Sequence, residues 1–166
     1  MTVYTTMDSP LGRLLLVGEE SATAKGGTAL AALSVPDQKR GAVVRDGWHE
    51  DPAAFREIIA QLGSYFDGRL TAFDIECVSS GSDFQRRVWK ALETIPYGTT
   101  VSYGEVAALI GASRAAVRAV GTAIGANPLL IVRPCHRVIG ASGALTGYAG
   151  GLERKRQLLD LENVPS

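Results

Sequence analysis

Two capping boxes constrain the fold of the second half of this 166-residue chain. Ser82 and Gln85 precede one apolar stripe, and Ser102 and Glu105 precede a second stripe that stops at Gly111. In such a box the two side chains satisfy backbone N–H groups that a helix start leaves unpaired, so each pattern marks the beginning of a helix. The second half is therefore predicted to be mostly helical.

A third helix is predicted over residues 113–124, across a turn that contains Gly111. Two short helices joined by a glycine-containing turn are typical of a helix-turn-helix. One face of the third helix is apolar, and the opposite face is basic or lacks large side chains. The residues of that second face are Arg114, Arg118, Gly121 and Gly125. This face favours contact with DNA, and the alternative is a solvated arginine face on a small helix.

The first half of the chain predicts a small α/β unit. Short strands are expected at residues 2–7, 13–17 and 28–35, followed by a helix over residues 51–66. This half contains no phosphate-binding loop, no paired catalytic carboxylates and no internal repeat, so we expect a structural role for it. Residues 79–81, Ser-Ser-Gly, are the expected hinge between the halves.

Charge is distributed unevenly although the chain has no net charge. Residues 1–82 carry 7 Lys and Arg against 11 Asp and Glu, while residues 83–166 carry 10 against 6. The basic half is expected to face a polyanion, unless the asymmetry is an accident of surface composition. No signal sequence and no segment near the ~18 apolar residues of a membrane span is present, so we expect a cytoplasmic protein with no membrane partner.

One of the two cysteines stands beside one of the two histidines, directly after an apolar run at residues 129–132. The run predicts a strand that ends at Cys135 and His136. A neighbouring base or cation lowers the pKa of a thiol and makes it a nucleophile, so Cys135 is the candidate for chemistry; an inert buried cysteine is the alternative. Cys77 and His49 are expected to be structural or surface residues, and no metal site is expected.

One motif contains the Cys-His pair, and three more lie before and after it in the chain. They are Arg118-Ala119-Val120-Gly121, Asn127-Pro128, Pro134-Cys135-His136-Arg137-Val138 and Gly147-Tyr148-Ala149-Gly150-Gly151. Together they resemble the motifs of the O6-alkylguanine-DNA alkyltransferases. The resemblance implies an α/β domain at residues 1–79, with a small antiparallel sheet and a helix in a ribonuclease H-like fold. It also implies a mostly α winged helix-turn-helix domain at residues 80–166 that carries the cysteine.

The activity implied by this resemblance is direct DNA repair. An alkyl group such as methyl would pass irreversibly from O6-alkylguanine, and also from O4-alkylthymine, to Cys135 in one turnover per molecule. The implied partner is double-stranded DNA containing O6-alkylguanine, bound by a monomer that can act cooperatively on DNA, and no cofactor is needed. The alternatives are a non-enzymatic alkylated-DNA-binding relative, a winged-helix transcription regulator and a Cys-His hydrolase that turns over repeatedly.

The resemblance also implies a proton-transfer chain. His136 would deprotonate the Cys135 thiol through a water, and Glu162 would orient His136, a logic similar to that of a nucleophile, base and orienter triad. Independently, a helical projection places Glu162 on an apolar face, where a carboxylate should have a partner. Lys155 shares that arc, so pairing of Glu162 with Lys155 at the surface is the alternative.

Further residues are implied to handle the damaged nucleotide. Tyr103 would donate to guanine N3 and help to turn the nucleotide out of the duplex, and Arg118 would enter the stack in its place. A simple core aromatic and a phosphate contact are the respective alternatives. Asn127 would brace the turn before the active site. The groups implied to hold or line the guanine pocket are the backbones of Cys135, Val138 and Ala149 and the side chain of Tyr148.

Two features depart from the family pattern. Arg133 stands where an apolar residue is usual, and it would either lower the pKa of the Cys135 thiol or place a charge at the surface. The stretch from Gly111 to Arg118 is one residue longer than the family pattern in the members it most resembles. The phase of the third helix is therefore open, and Arg114 is the alternative to Arg118 as the residue that enters the stack.

Overall fold

The computed structural model describes residues 1–78 and 80–164, and the chain divides into two compact units, residues 1–79 and 80–166. Ser79, the first residue of the expected hinge, lies outside the described residues. No helix in the described ranges is long and apolar enough to cross a bilayer. Each unit has its own secondary structure and core.

The first unit is built on a sheet with the strand order β3-β2-β1-β4. Its strands are β1 (Thr2–Ser9), β2 (Gly12–Glu20), β3 (Thr28–Ser34) and β4 (His49–Glu50). The first three pair antiparallel as predicted, but β4 pairs parallel to β1, and the backbone at Cys77 pairs parallel to Leu30. The predicted small antiparallel sheet is confirmed for these three strands, whereas the parallel edge segments were not predicted because they are too short to show an alternating pattern in the sequence.

A helix covers one face of this sheet. A 3-10 turn at Pro52–Phe55 leads into α1 (Arg56–Phe66), so the predicted helix is present with a tighter first turn. Its apolar residues at three- and four-residue spacing are buried with leucines of the strands, and this burial stabilises the unit. The buried set includes Leu14, Leu16, Leu30, Leu33, Phe55, Ile58, Leu62 and Tyr65.

The second unit is mostly helical. Its elements are α2 (Asp83–Leu92), β5 (Val101–Ser102), α3 (Tyr103–Leu109), α4 (Val117–Gly125), β6 (Val138–Ile139) and α5 (Leu152–Leu161). Both capping boxes form as predicted: Ser82 Oγ accepts from the backbone of Gln85 at 3.1 Å, and the Gln85 side chain accepts from the backbone of Ser82 at 3.0 Å. The box at the start of α3 has the same pair of bonds.

The predicted third helix begins later than its sequence pattern suggests. Residues Arg114–Ala116 form a 3-10 turn, and α4 starts at Val117. The Ser113 side chain makes no capping hydrogen bond, which leaves the tighter turn in place of a capped α-helix start. The predicted amphipathic character is confirmed, since Val120 and Ile124 are buried and the basic face is exposed.

The apolar run at residues 129–132 does not form the predicted strand. It is a buried turn, in which Val132 N donates to Leu130 O at 2.8 Å and Ile131 has a φ of 72°. A short continuous apolar run shows only that a segment is buried, because its periodicity cannot distinguish a strand from an internal turn. The turn, rather than a strand end, delivers the chain to Cys135.

Candidate active site

Cys135 begins a 3-10 turn, Cys135–Arg137, and is only 4% exposed. Its backbone N donates to Arg133 O at 2.7 Å. Asn127 holds the preceding turn: its Nδ2 donates to Leu129 O at 3.1 Å and to Arg133 O at 3.3 Å, and its Oδ1 accepts from Leu129 N at 3.1 Å. The buried Asn127 therefore has the geometry expected of a residue that braces this turn.

Because of its burial, we expect the thiol of Cys135 to be protonated at neutral pH. Burial raises its pKa to about 11, while a hydrogen bond from the Asn127 side chain and the positive charge of Lys155 act in the opposite direction. Since the thiolate is the reactive form of cysteine, nucleophilic attack requires a base that takes the proton during the reaction.

His136, the next residue in the chain, is the candidate for that base. It is completely buried, and its Nε2 lies 2.7 Å from Glu162 Oε2. An ionised carboxylate only accepts hydrogen bonds, so Nε2 carries the proton and Nδ1 carries the lone pair. Nδ1 has no hydrogen-bond partner among the described protein atoms. Burial lowers the pKa of His136, which keeps the ring neutral and able to accept a proton.

Glu162, at the end of α5, is 2% exposed and is held from two sides. Arg137 donates from Nε to Oε1 at 2.8 Å and from Nη2 to Oε2 at 3.0 Å. A third nitrogen of Arg137 donates to Ile95 O at 2.6 Å. The alternative pairing of Glu162 with Lys155 at the surface is therefore wrong, and Glu162 connects the base to a buried guanidinium.

Lys155 of α5 is also completely buried, about two helical turns before Glu162. Its Nζ donates to Val138 O at 2.6 Å and to Thr146 O at 2.7 Å. Burial lowers the pKa of Lys155 to about 8. The side chain thus joins β6 to the loop that precedes α5.

Arg133 is buried as well, so a surface charge at this position is ruled out. Its Nε lies 3.4 Å from Glu93 Oε2, and its guanidinium carbon lies 5.0 Å from the ring centroid of Trp89. The Trp89 indole donates to Ala123 O of α4 at 2.8 Å. Arg133 therefore connects the active-site turn, through one aromatic ring, to the helix with the basic face.

Tyr103, at the start of α3, reaches the loop before α5. Its hydroxyl donates to Thr146 O at 3.4 Å and accepts from Thr146 Oγ1 at 3.3 Å. A side chain built at Gly121 would touch the tyrosine ring at 3.8 Å, so α4 supports this ring. Tyr148 and Ala149 are half-buried residues of the same loop.

Arg114 and Arg118 are exposed and lie on the 3-10 turn and the first turn of α4. The structure does not bring them into the group around Cys135. Within residues 1–78 and 80–164, no cluster of three or more His, Cys, Asp or Glu side chains is suited to a metal ion.

Two family matches cover both units. Residues 2–78 match the 6-O-methylguanine DNA methyltransferase ribonuclease-like domain, and residues 83–164 match the 6-O-methylguanine DNA methyltransferase DNA binding domain. The chain belongs to the 6-O-methylguanine DNA methyltransferase family. The fold predicted from the sequence, an α/β domain followed by a mostly helical DNA-binding domain, is thereby confirmed.

Relatives in this methyltransferase family are similar over nearly their full length. The methylated-DNA–protein-cysteine methyltransferase of Mycolicibacterium paratuberculosis is 57% identical, with 98% of this chain and 93% of the relative covered. The enzyme of the same name from Methanosarcina acetivorans is 46% identical, with 96% and 97% covered. A crystal structure of Mycobacterium tuberculosis OGT in complex with DNA matches with a TM-score of 0.86 and 53% identity, covering 97% of this chain and 93% of that one.

Within this methyltransferase fold, three buried cations were missed by reasoning from the sequence. In the sequence, Arg137 stands out only as part of a motif, Lys155 only as the alternative surface partner for Glu162, and Arg133 as a departure from the family that would lower the Cys135 pKa or lie at the surface. Long basic side chains are usually exposed, so nothing in the sequence alone predicts that these three are internal. Arg137 was nevertheless detectable as the cation nearest in sequence to the proposed base.

Proposed function

We propose that this protein repairs DNA by moving an alkyl group from O6-alkylguanine in double-stranded DNA to Cys135, in one irreversible turnover. The observation that carries the proposal is the arrangement of a buried thiol next to a neutral histidine whose Nε2 is held by a buried carboxylate. This arrangement lies in the DNA-binding unit of a methyltransferase family. No cofactor enters the scheme.

The reaction is a displacement at carbon. The Cys135 thiol gives its proton to His136 Nδ1 through a water, and the sulfur attacks the alkyl carbon as the bond from that carbon to O6 breaks. The bond electrons remain on the guanine, which leaves as an anion and takes up a proton, so the products are an S-alkylcysteine and an intact guanine. Glu162 holds the tautomer of His136 in which Nδ1 is the acceptor, and Arg137 holds Glu162.

Burial of the sulfur explains why the base must leave the duplex. A residue that is 4% exposed cannot approach an atom inside a base stack along the line of attack. We propose that Tyr103 assists extrusion of the nucleotide and donates to guanine N3, and that Arg118 fills the gap in the stack. The proposed pocket for the base uses the Tyr148 side chain and backbone groups of Cys135, Val138 and Ala149, with O4-alkylthymine as a second substrate.

The rival functions predict different chemistry. A non-enzymatic DNA-binding relative would not need the Cys135 thiol, a hydrolase would release product repeatedly, and a regulator would prefer one base sequence. We propose a monomer, able to bind DNA cooperatively, that acts in the cytoplasm. The free thiol of Cys135 fits a reducing compartment of this kind.

Incubation with a methylated-guanine duplex, followed by intact-protein mass measurement, tests the proposal. The expected result is a gain of one CH₂ per molecule, located at Cys135 by peptide mapping, with no further gain when more substrate is added. An unmethylated duplex is the control, and Cys77→Ser is expected to react like the unaltered protein. Repeated release of a methylated product, or methylation of another residue, would contradict the proposal.

A further inference from the structure

The backbone and the side chain of Arg133 lie in different parts of the second unit. The backbone belongs to the active-site turn, residues 129–137, where Arg133 N donates to Leu129 O at 3.1 Å. Its carbonyl oxygen accepts from Cys135 N at 2.7 Å and from Asn127 Nδ2 at 3.3 Å. The side chain, 5% exposed, leaves this turn and packs on α2. A shift of that side chain would therefore move the carbonyl group that holds the backbone of Cys135.

The indole ring of Trp89 is the anchor for this side chain. The guanidinium carbon of Arg133 lies 5.0 Å from the ring centroid, within the range of a cation–π contact. The indole N–H donates to Ala123 O of α4 at 2.8 Å, and a Cβ atom built on Gly81 would lie only 2.8 Å from the other end of the ring. The ring is thus enclosed between α4 and the segment before α2. Arg133 is consequently fixed relative to α4.

These contacts are a poor source of stability. Arg133 Nε lies 3.4 Å from Glu93 Oε2, on a carboxylate that is half exposed, and Nη1 has no hydrogen-bond partner among the described protein atoms. Burial of a guanidinium costs desolvation free energy, which so incomplete a set of partners offsets only in part. An apolar side chain, the usual kind at this position of the family pattern, would avoid that cost. The stability of the fold therefore does not explain the arginine.

We propose that Arg133 is a positioning residue that fixes the sulfur of Cys135 relative to α4, the helix whose exposed face would contact the duplex. Arg133 itself is too deeply buried to touch DNA. A base extruded from a duplex enters the pocket at a place set by α4, so the sulfur must be aligned with that helix for attack. A free base can instead shift within the pocket until its alkyl carbon meets the sulfur. This inference rests on the proposed function and names the residue that adapts the site to a duplex substrate.

The test compares Arg133→Met with Lys90→Met, which removes an exposed charge from α2, the helix that carries Trp89. Duplex affinity is measured by fluorescence anisotropy, and the first-order rate of transfer is measured by intact mass with saturating O6-methylguanine duplex and with free O6-benzylguanine. For Arg133→Met we expect transfer from the duplex to slow roughly tenfold and transfer from the free base to change by less than about twofold. Duplex affinity and urea stability should be retained, and Lys90→Met should match the parent.

Two further measurements examine the link itself. Trp89→Phe keeps an aromatic face but removes the N–H that Ala123 accepts, so it should also slow transfer from the duplex. Because both substitutions break one connection, adding Trp89→Phe to Arg133→Met should slow transfer little further. Amide hydrogen exchange of the free protein needs no substrate, and Arg133→Met should exchange faster at residues 129–137 while α5 is unchanged.

Several outcomes would overturn the inference. Equal slowing on both substrates, or a marked loss of stability in Arg133→Met, would make the arginine a merely structural residue. Weaker duplex binding with an unchanged saturated rate would make it a DNA contact. Unchanged rates, full additivity with Trp89→Phe, or unchanged exchange at residues 129–137 would show that other contacts align the turn. Failure of the proposed function is distinguishable, because the parent would then transfer nothing while hydrogen exchange would still decide whether Arg133 holds the turn.

Discussion

Two groups of charged and titratable side chains in the second unit differ in their surroundings. The buried charge cluster consists of His136, Arg137, Lys155 and Glu162 around Cys135, and every residue in it is nearly or completely inaccessible to solvent. The exposed basic face consists of Arg114 and Arg118, together with Gly121 and Gly125 of α4, which have no side chains. Both groups contribute to the positive charge of this half of the chain, but only the second can meet a polyanion directly.

The difference shows what each group depends on. In the buried charge cluster, charged groups have exchanged water for specific hydrogen bonds, so removal of one partner leaves another buried charge uncompensated. On the exposed basic face, water solvates each arginine in the free protein. Substitutions in the cluster should therefore affect stability and chemistry in the free protein, whereas those on the face should matter only when duplex DNA is the substrate.

Replacing the nucleophile should produce the largest effect. Cys135→Ser removes the soft sulfur that attacks carbon but no phosphate contact, so we expect complete loss of transfer with duplex affinity largely retained. Intact mass measures the first quantity and fluorescence anisotropy of a labelled duplex the second. Appreciable residual transfer would mean that another residue accepts the alkyl group.

Removal of Glu162 should cost the most stability. Glu162→Ala leaves Arg137 buried without its carboxylate, a type of loss that costs about 3–5 kcal/mol of unfolding free energy, and it also frees the His136 ring. Glu153→Ala, at an exposed carboxylate on the same helix, is the matched control. Urea melts measure the loss, and equal, small losses in both variants would contradict a cluster held by paired charges.

The effects of substitutions at His136 and Glu162 on the transfer rate should be non-additive. His136→Ala and Glu162→Ala act on one proton-transfer chain, so their combined effect on the transfer rate should be far smaller than the product of the single effects. Full additivity in folded variants would place the two residues in independent roles.

The exposed basic face should give a smaller and substrate-dependent effect. Arg118→Ala is expected to slow transfer from methylated duplex roughly tenfold, because part of the cost of unstacking a base is no longer offset, and to leave the free base O6-benzylguanine unaffected. Arg114→Ala is the comparison variant. If the duplex-specific defect appears there instead, the role is correct but the residue is Arg114.

Acid pH should give the smallest effect of these tests. The pKa of His136 lies below its ordinary value of 6.5, so the transfer rate should be level near neutrality and fall only as the pH drops through that lowered pKa. For stability the sign is the same: the contribution of His136 is present above pH 6.5 and is lost as the pH falls through the lowered pKa of the folded state. The control is His49→Ala, at an exposed histidine. This variant should keep both the fall in transfer rate and the loss of stability at acid pH.

The sequence predicted elements whose patterns are local. The two capping boxes, the amphipathic α4 and the contact between His136 and Glu162 were all expected from spacing or from the family resemblance. The turn at residues 129–132 and the parallel edge strand β4 were missed, because a short segment has no period that identifies its partner. Arg133, Arg137 and Lys155 were missed because their burial depends on acceptors distant in the chain, such as Glu93, Ile95 and Val138.

The high pKa of the Cys135 thiol also bears on how the sulfur survives until it is needed. Because burial raises the pKa of the thiol to about 11, the thiol form predominates at neutral pH. Oxidants and stray electrophiles attack the thiolate, so the sulfur is chemically quiet between encounters with DNA. A protein that can react only once is thus protected from wasting its sulfur on peroxide or small alkylating agents in the surrounding solution.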